Sequence, residues 1–222
     1  MHNFNLSSAS TKMADALCFA DALGPDCRLT FDDKPADAHV YRLPDLWLPT
    51  GEIVAADGFI MERQPFTRQV RPGRYPVMIA IAAFATDERI AFVQVRFSDR
   101  PVARWEMALI AGQDVSTLQS GHILGYGVDS GTGCFADPQA VDLINEASDP
   151  DMKFFHEVDA EMDKVYRHTR SWVHIETPKG SAALFSSGFG DGVYPSYLGL
   201  DGALEPVALL TDVGVSDWLR PE

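Results

Sequence analysis

The chain has 222 residues, 46% of them apolar and 23% charged, and its 18 Lys and Arg against 32 Asp and Glu give a net charge of −14. This globular mixture excludes a disordered chain, a collagen-like repeat and a disulfide-dense secreted scaffold. The acidic excess excludes generic nucleic-acid binding, which needs clustered positive charge against phosphates.

A chain of this length buries about 70% of its unfolded surface, enough for a core without disulfides or metal. Cys18, Cys27 and Cys134 are odd in number and lack CxxC spacing, which points to free thiols in a reducing compartment. The first ten residues have no basic region, and Lys12, Asp15 and Asp21 break the apolar stretch that follows, so no signal peptide is expected. The longest apolar run, 77–85, falls far short of the ~20 residues that span a bilayer. A cytoplasmic protein without a membrane segment is expected.

In chain order, the spacing of Met13, Leu17, Ala20 and Leu23 predicts a helix over 10–23, stopped by Gly24-Pro25. Strands follow at 39–43, 51–56, 59–62, 75–84, 89–97 and 102–110, with short turns at 85–88 and 98–101 that suit antiparallel neighbours. Asp137-Pro138 and Asp149-Pro150 each pair an N-cap oxygen with a proline at the first helical position, which predicts helices over about 138–147 and 150–168. In the second, Met152, Phe155, Val158, Met162 and Val165 form one apolar stripe, read as core packing. Strands return at 171–176, 182–187, 193–198 and 206–211, with a hairpin turn at 177–180 and a type I′ turn at Asp201-Gly202. Trp218 is placed on a short final helix. The expectation is one α+β domain with a mostly antiparallel, sandwich- or barrel-like sheet, an N-terminal helix, and two helices between the strand-rich halves.

Two Gly-rich segments are the candidate sites. In 126–137, Gly131 and Gly133 are spaced as in a phosphate loop, Ser130 stands near a nucleophile position, and Cys134 precedes a helix start that would favour a thiolate. The G-x-G pattern lacks a βαβ context, and Ser130 is one residue out of register with G-x-S-x-G. In 187–195, Gly188, Gly190 and Gly192 bracket Asp191 ahead of Tyr194 and Tyr197. Asp129, Ser130, Cys134 and Asp191 are therefore candidate catalytic residues, and Gly131, Gly133, Asp137, Gly190 and Tyr194 candidate binding residues. The competing reading is that both segments are turns whose Asp and Ser side chains bond the backbone. Convergence of Asp129, Asp137 and Asp191 would suit a hard cation, but no metal-ligand spacing occurs among the histidines, and neither metal nor cofactor is expected. Glu52, Asp57 and Glu106 are expected to pair with arginines.

Charge is uneven. Residues 63–104 hold eight arginines against three acids, near +5, which leaves about −19 elsewhere. Arg74, Arg96 and Arg104 are candidate anion-binding residues if these arginines converge; otherwise they pair with acids brought in by folding.

Four segments, 49–57, 72–77, 128–137 and 188–197, together resemble an uncharacterised bacterial family, the domain of unknown function numbered 4241. The resemblance covers about residues 40–213 and leaves an N-terminal helical extension of about 30 residues outside. It implies a compact mixed α/β domain and carries over no activity, cofactor or catalytic residue. The function expected first is a non-enzymatic module that binds a basic protein partner, such as an immunity-type protein neutralising a basic toxin. The alternative is a hydrolase with an Asp-lined pocket formed by the two Gly-rich turns.

Overall fold

Alternating runs of branched and aromatic residues make this chain predominantly strand. The computed structural model describes residues 23, 28–31, 34–119, 122–147 and 153–215. The first half holds β1 (Arg28–Phe31), β2 (Lys34–Leu48), β3 (Val54–Asp57), β4 (Gly73–Ala83), β5 (Glu88–Arg96) and β6 (Arg104–Met107). The middle holds β7 (Tyr126–Val128), β8 (Thr132–Ala136) and the helices α1 (Pro138–Ala147) and α2 (Lys153–Asp163). The last part holds β9 (Trp172–Thr177), β10 (Gly180–Ser186), β11 (Gly192–Tyr194), β12 (Ser196–Leu200) and β13 (Pro206–Asp212). The two helices thus fall between strand-rich halves, as expected.

The strands build a seven-stranded sheet in the order β1-β2-β4-β5-β13-β12-β6, a four-stranded sheet in the order β3-β8-β10-β9, and a ribbon of β7 and β11. Among the described residues every pairing is antiparallel, and neither of the larger sheets closes into a barrel.

Two-residue alternation in the small sheet sets the layering. Ala55, Phe135, Ala183 and Phe185 join the core of the large sheet, whereas Ala56, Cys134, Ala182 and Leu184 face Val141 and Ile144 of α1 and Val158 and Met162 of α2. The small sheet is therefore a middle layer buried on both faces. Phe135 and Phe185, each 0% exposed with ring centroids 5.5 Å apart, are its main anchors against the large sheet. Burial of each contributes about 2–3 kcal/mol. A polar tie joins the layers as well, since Trp47 N–H donates to Ser181 Oγ at 2.7 Å.

Asp137 caps α1 as expected: its Oδ1 accepts from Gln139 N–H at 2.8 Å, and its Oδ2 accepts from the Thr50 N–H and hydroxyl. At the end of β13, Asp212 is 7% exposed and accepts from Gly214 N–H at 2.8 Å. Burial outweighs that bond and pushes its carboxyl up to about 7.

Several expectations need correction. The segment 126–137 is not one loop; it holds β7 and β8, parted by a turn at 129–131. The strand expected at 59–62 is absent because the Asp57 carboxylate takes the N–H groups of Phe59 and Ile60 and turns the chain. The strand expected at 193–198 is split at Pro195, whose missing N–H ends the ribbon before β12 enters the large sheet. The loop at 98–101 does not close a hairpin, since β13 and β12 lie between β5 and β6. Asp201-Gly202 is not a type I′ turn: the positive φ falls on Leu204 at 64°, and Asp201 Oδ1 accepts from the N–H groups of Ala203 and Glu205. The helix expected at 10–23 lies outside the described residues except for its last position, as do Asp149-Pro150 and Trp218.

Candidate functional site

The site grows around Asp57, the last residue of β3. Its Oδ1 accepts from Phe59 N–H at 2.7 Å, Ile60 N–H at 3.0 Å and the Ser130 hydroxyl at 2.8 Å. Its Oδ2 accepts from Asp129 N–H and Ser130 N–H, both at 2.8 Å. Burial opposes the charged form, but the N–H groups of Phe59, Asp129 and Ser130 and the Ser130 hydroxyl prevail and hold the carboxyl below its ordinary value. One ionised side chain thus staples two turns separated by more than seventy residues. It forms no ion pair with an arginine among the described residues, contrary to expectation.

The two Gly-rich segments meet beside this staple. β7 pairs with β11, and Ser187 N–H donates to Gly131 C=O at 3.0 Å. Gly131 takes φ 68°, and the position a Cβ would occupy lies 3.9 Å from Gly190 Cα. Tyr194 closes the second turn, its hydroxyl set against Gly190 C=O at 2.6 Å and Ser187 C=O at 3.1 Å.

A cleft opens on each side of the 129–131 turn. The first, of about 220 Å³, is lined by Asp57, Glu62, Asp129, Phe66, Ile110 and Ser196, among others. The second, of about 440 Å³, lies against α2 and is lined by Ser130, Phe59, Phe155, His156, Asp159, Asp163 and Tyr166, among others. Phe59 and Phe155 stack there with centroids 5.4 Å apart. Asp159 and Asp163 are exposed and have no cation within ion-pair distance among the described residues.

A family model described as a protein of unknown function, DUF4241, matches residues 46–211. The chain belongs to the DUF4241 family. The part that matches DUF4241 contains the Asp57 staple, both Gly-rich segments and both clefts. Among curated proteins and among solved structures nothing matches this chain.

Within this DUF4241 chain the expected site residues separate. Asp129 and Ser130 line opposite clefts, while exposed Asp191 lines neither of the two. Cys134 is 0% exposed, and burial pushes its thiol up to about 12, so it does not carry the expected thiolate. The Gly131 and Gly133 pattern is no phosphate loop: Gly133 sits inside the β8 ladder, where an added Cβ would come within 3.0 Å of Phe185 and Tyr126. Asp137 stands at the far end of β8, roughly 17 Å along the strand from Thr132. Among the described residues no group of three or more His, Cys, Asp or Glu could hold a metal ion. No helix there is long and apolar enough to cross a membrane.

The arginines do not form one anion site. Arg74, Arg96 and Arg104 lie on β4, β5 and β6, and each reaches a carboxylate, Glu176, Asp99 and Glu106 respectively. Arg74 also stacks 4.7 Å over the Trp47 ring. Arg63, Arg68, Arg89 and Arg100 are likewise ion-paired. Sequence reasoning did not find Asp159, Asp163 and Tyr166 as a group. The signal for Asp159 and Asp163 is an acidic helix face beside the apolar stripe.

Proposed function

We propose that this protein is a non-enzymatic binding module whose α2 groove receives a basic segment of a protein partner. The observation that carries this reading is the groove itself. Phe59, Phe155 and Tyr166 provide aromatic surface, and the unneutralised carboxylates of Asp159 and Asp163 supply the charge. Aromatic faces and carboxylates together suit Lys and Arg side chains, whose stems pack on rings while their heads meet acids. The acidic chain favours approach of such a partner. An immunity-type protein that neutralises a basic toxin is one form of such a module.

The test is a titration with a fluorescent Lys/Arg-rich peptide at low and high salt, repeated with Asp159→Asn/Asp163→Asn. Binding that weakens with salt and falls about tenfold in the double variant supports the reading. Binding indifferent to both overturns it. Ser130 and His156 both line the larger cleft, which favours a second reading, a hydrolase with Ser130 as nucleophile and His156 as base. Ester hydrolysis abolished by Ser130→Ala in a variant that still folds would select that reading.

A further inference from the structure

We propose that the cleft between Asp129 and Ser196 binds a small amine carrying a second polar group, a short amino alcohol or diamine. Of its lining residues none is Lys, Arg or His, so nothing cationic competes for its charge. Glu62 and Asp129 are exposed, and the Asp129 carboxylate accepts no hydrogen bond and meets no cation among the described residues. These two acids recognise an ammonium head. Ile60, Phe66 and Ile110 offer an apolar wall for a short stem.

An independent observation comes from another lining residue. Ser196 lines the cleft, is 2% exposed, and its hydroxyl is one of two buried side-chain polar atoms without a hydrogen-bond partner among the described residues. Buried hydroxyls are ordinarily satisfied, so this one awaits a donor or acceptor. A polar tail that reaches Ser196 supplies it. A cleft of about 220 Å³ admits a molecule of this size. The inference does not depend on the α2 groove, which lies across the 129–131 turn.

The test is calorimetric titration of the full chain with 4-amino-1-butanol, n-butylamine, 1-butanol and Nα-acetyl-lysine methylamide, on wild type, Asp129→Asn and Ser196→Ala. Expected is saturable binding of the amino alcohol, severalfold tighter than butylamine, with butanol weakest. Asp129→Asn weakens both amines about tenfold. Ser196→Ala removes the advantage of the amino alcohol over butylamine and leaves thermal unfolding intact. Butanol binding as well as the amines overturns the proposal, as does an amino-alcohol advantage that survives Ser196→Ala. Preference for the lysine derivative overturns it in favour of a protein side chain.

Discussion

Asp212 gives the sharpest test of the fold's electrostatics. Its carboxyl is buried at the end of β13 and titrates near 7 in the fold, against 3.8 for the ordinary side chain. Between those values the folded state keeps a proton that the unfolded chain releases, so this group lowers stability as pH rises through the interval. An interval of about three pH units corresponds to about 4 kcal/mol, fully lost above about pH 7. Asp212→Asn keeps an oxygen for Gly214 N–H and resembles the protonated acid in shape. Urea unfolding of both proteins at about pH 4.5 and about pH 8 measures the effect, provided the slopes agree. Near pH 4.5 the two proteins should match within about 1 kcal/mol, and near pH 8 the asparagine variant should be more stable by up to about 4 kcal/mol. A variant that is less stable near pH 8, or a difference that does not move with pH, refutes the reasoning.

Asp57 titrates with the opposite sign. Its lowered value means that its stabilisation is present above the unfolded value near 3.8 and is lost as pH falls through the folded value. Asp57→Asn should cost about 2–4 kcal/mol at neutral pH, because an amide cannot accept at both ends and two of the five donors lose their partner. Chemical denaturation measures this, and a loss under about 0.5 kcal/mol contradicts the staple. Cys134 should resist a thiol reagent until the chain unfolds, since its thiol is buried and pushed up to about 12. In a Cys18→Ser/Cys27→Ser background, its labelling should follow the urea unfolding curve; fast labelling of the native protein contradicts the burial argument.

What the sequence disclosed was local. Branched runs marked β4, β5 and β13, and Asp137-Pro138 marked the start of α1, because alternation and capping are encoded within a few residues. β8 was hidden because Thr-Gly-Cys-Phe-Ala, with a glycine at its second position and Gly131 just before it, reads as a loop. It becomes a strand only through its partners β3 and β10, more than forty residues away on either side. The order of the large sheet was hidden for the same reason: β5 lies against β13, and a short loop at 98–101 suggests a hairpin that the sheet does not make. At the candidate site, the glycines and Asp129 were conspicuous, but Asp57 was not. Its partners are backbone N–H groups, and no side-chain pattern announces an acid that bonds a distant turn. Ser196 was silent too, since an unpaired hydroxyl is a property of surroundings rather than of residue type.

The ribbon of β7 and β11 has a mechanical consequence. β7 runs through the 129–131 turn into the small sheet, and β11 passes through Pro195 into the large one. The ribbon is thus a strap, only three residue pairs long, stitched to both layers. Force that slides one sheet over the other reaches this strap early and must break it before the aromatic core between the sheets can part. The two clefts share the same seam, since the 129–131 turn is the post between them. A molecule wedged into either cleft would brace that post, and resistance to pulling should rise with it even if the folded shape does not change.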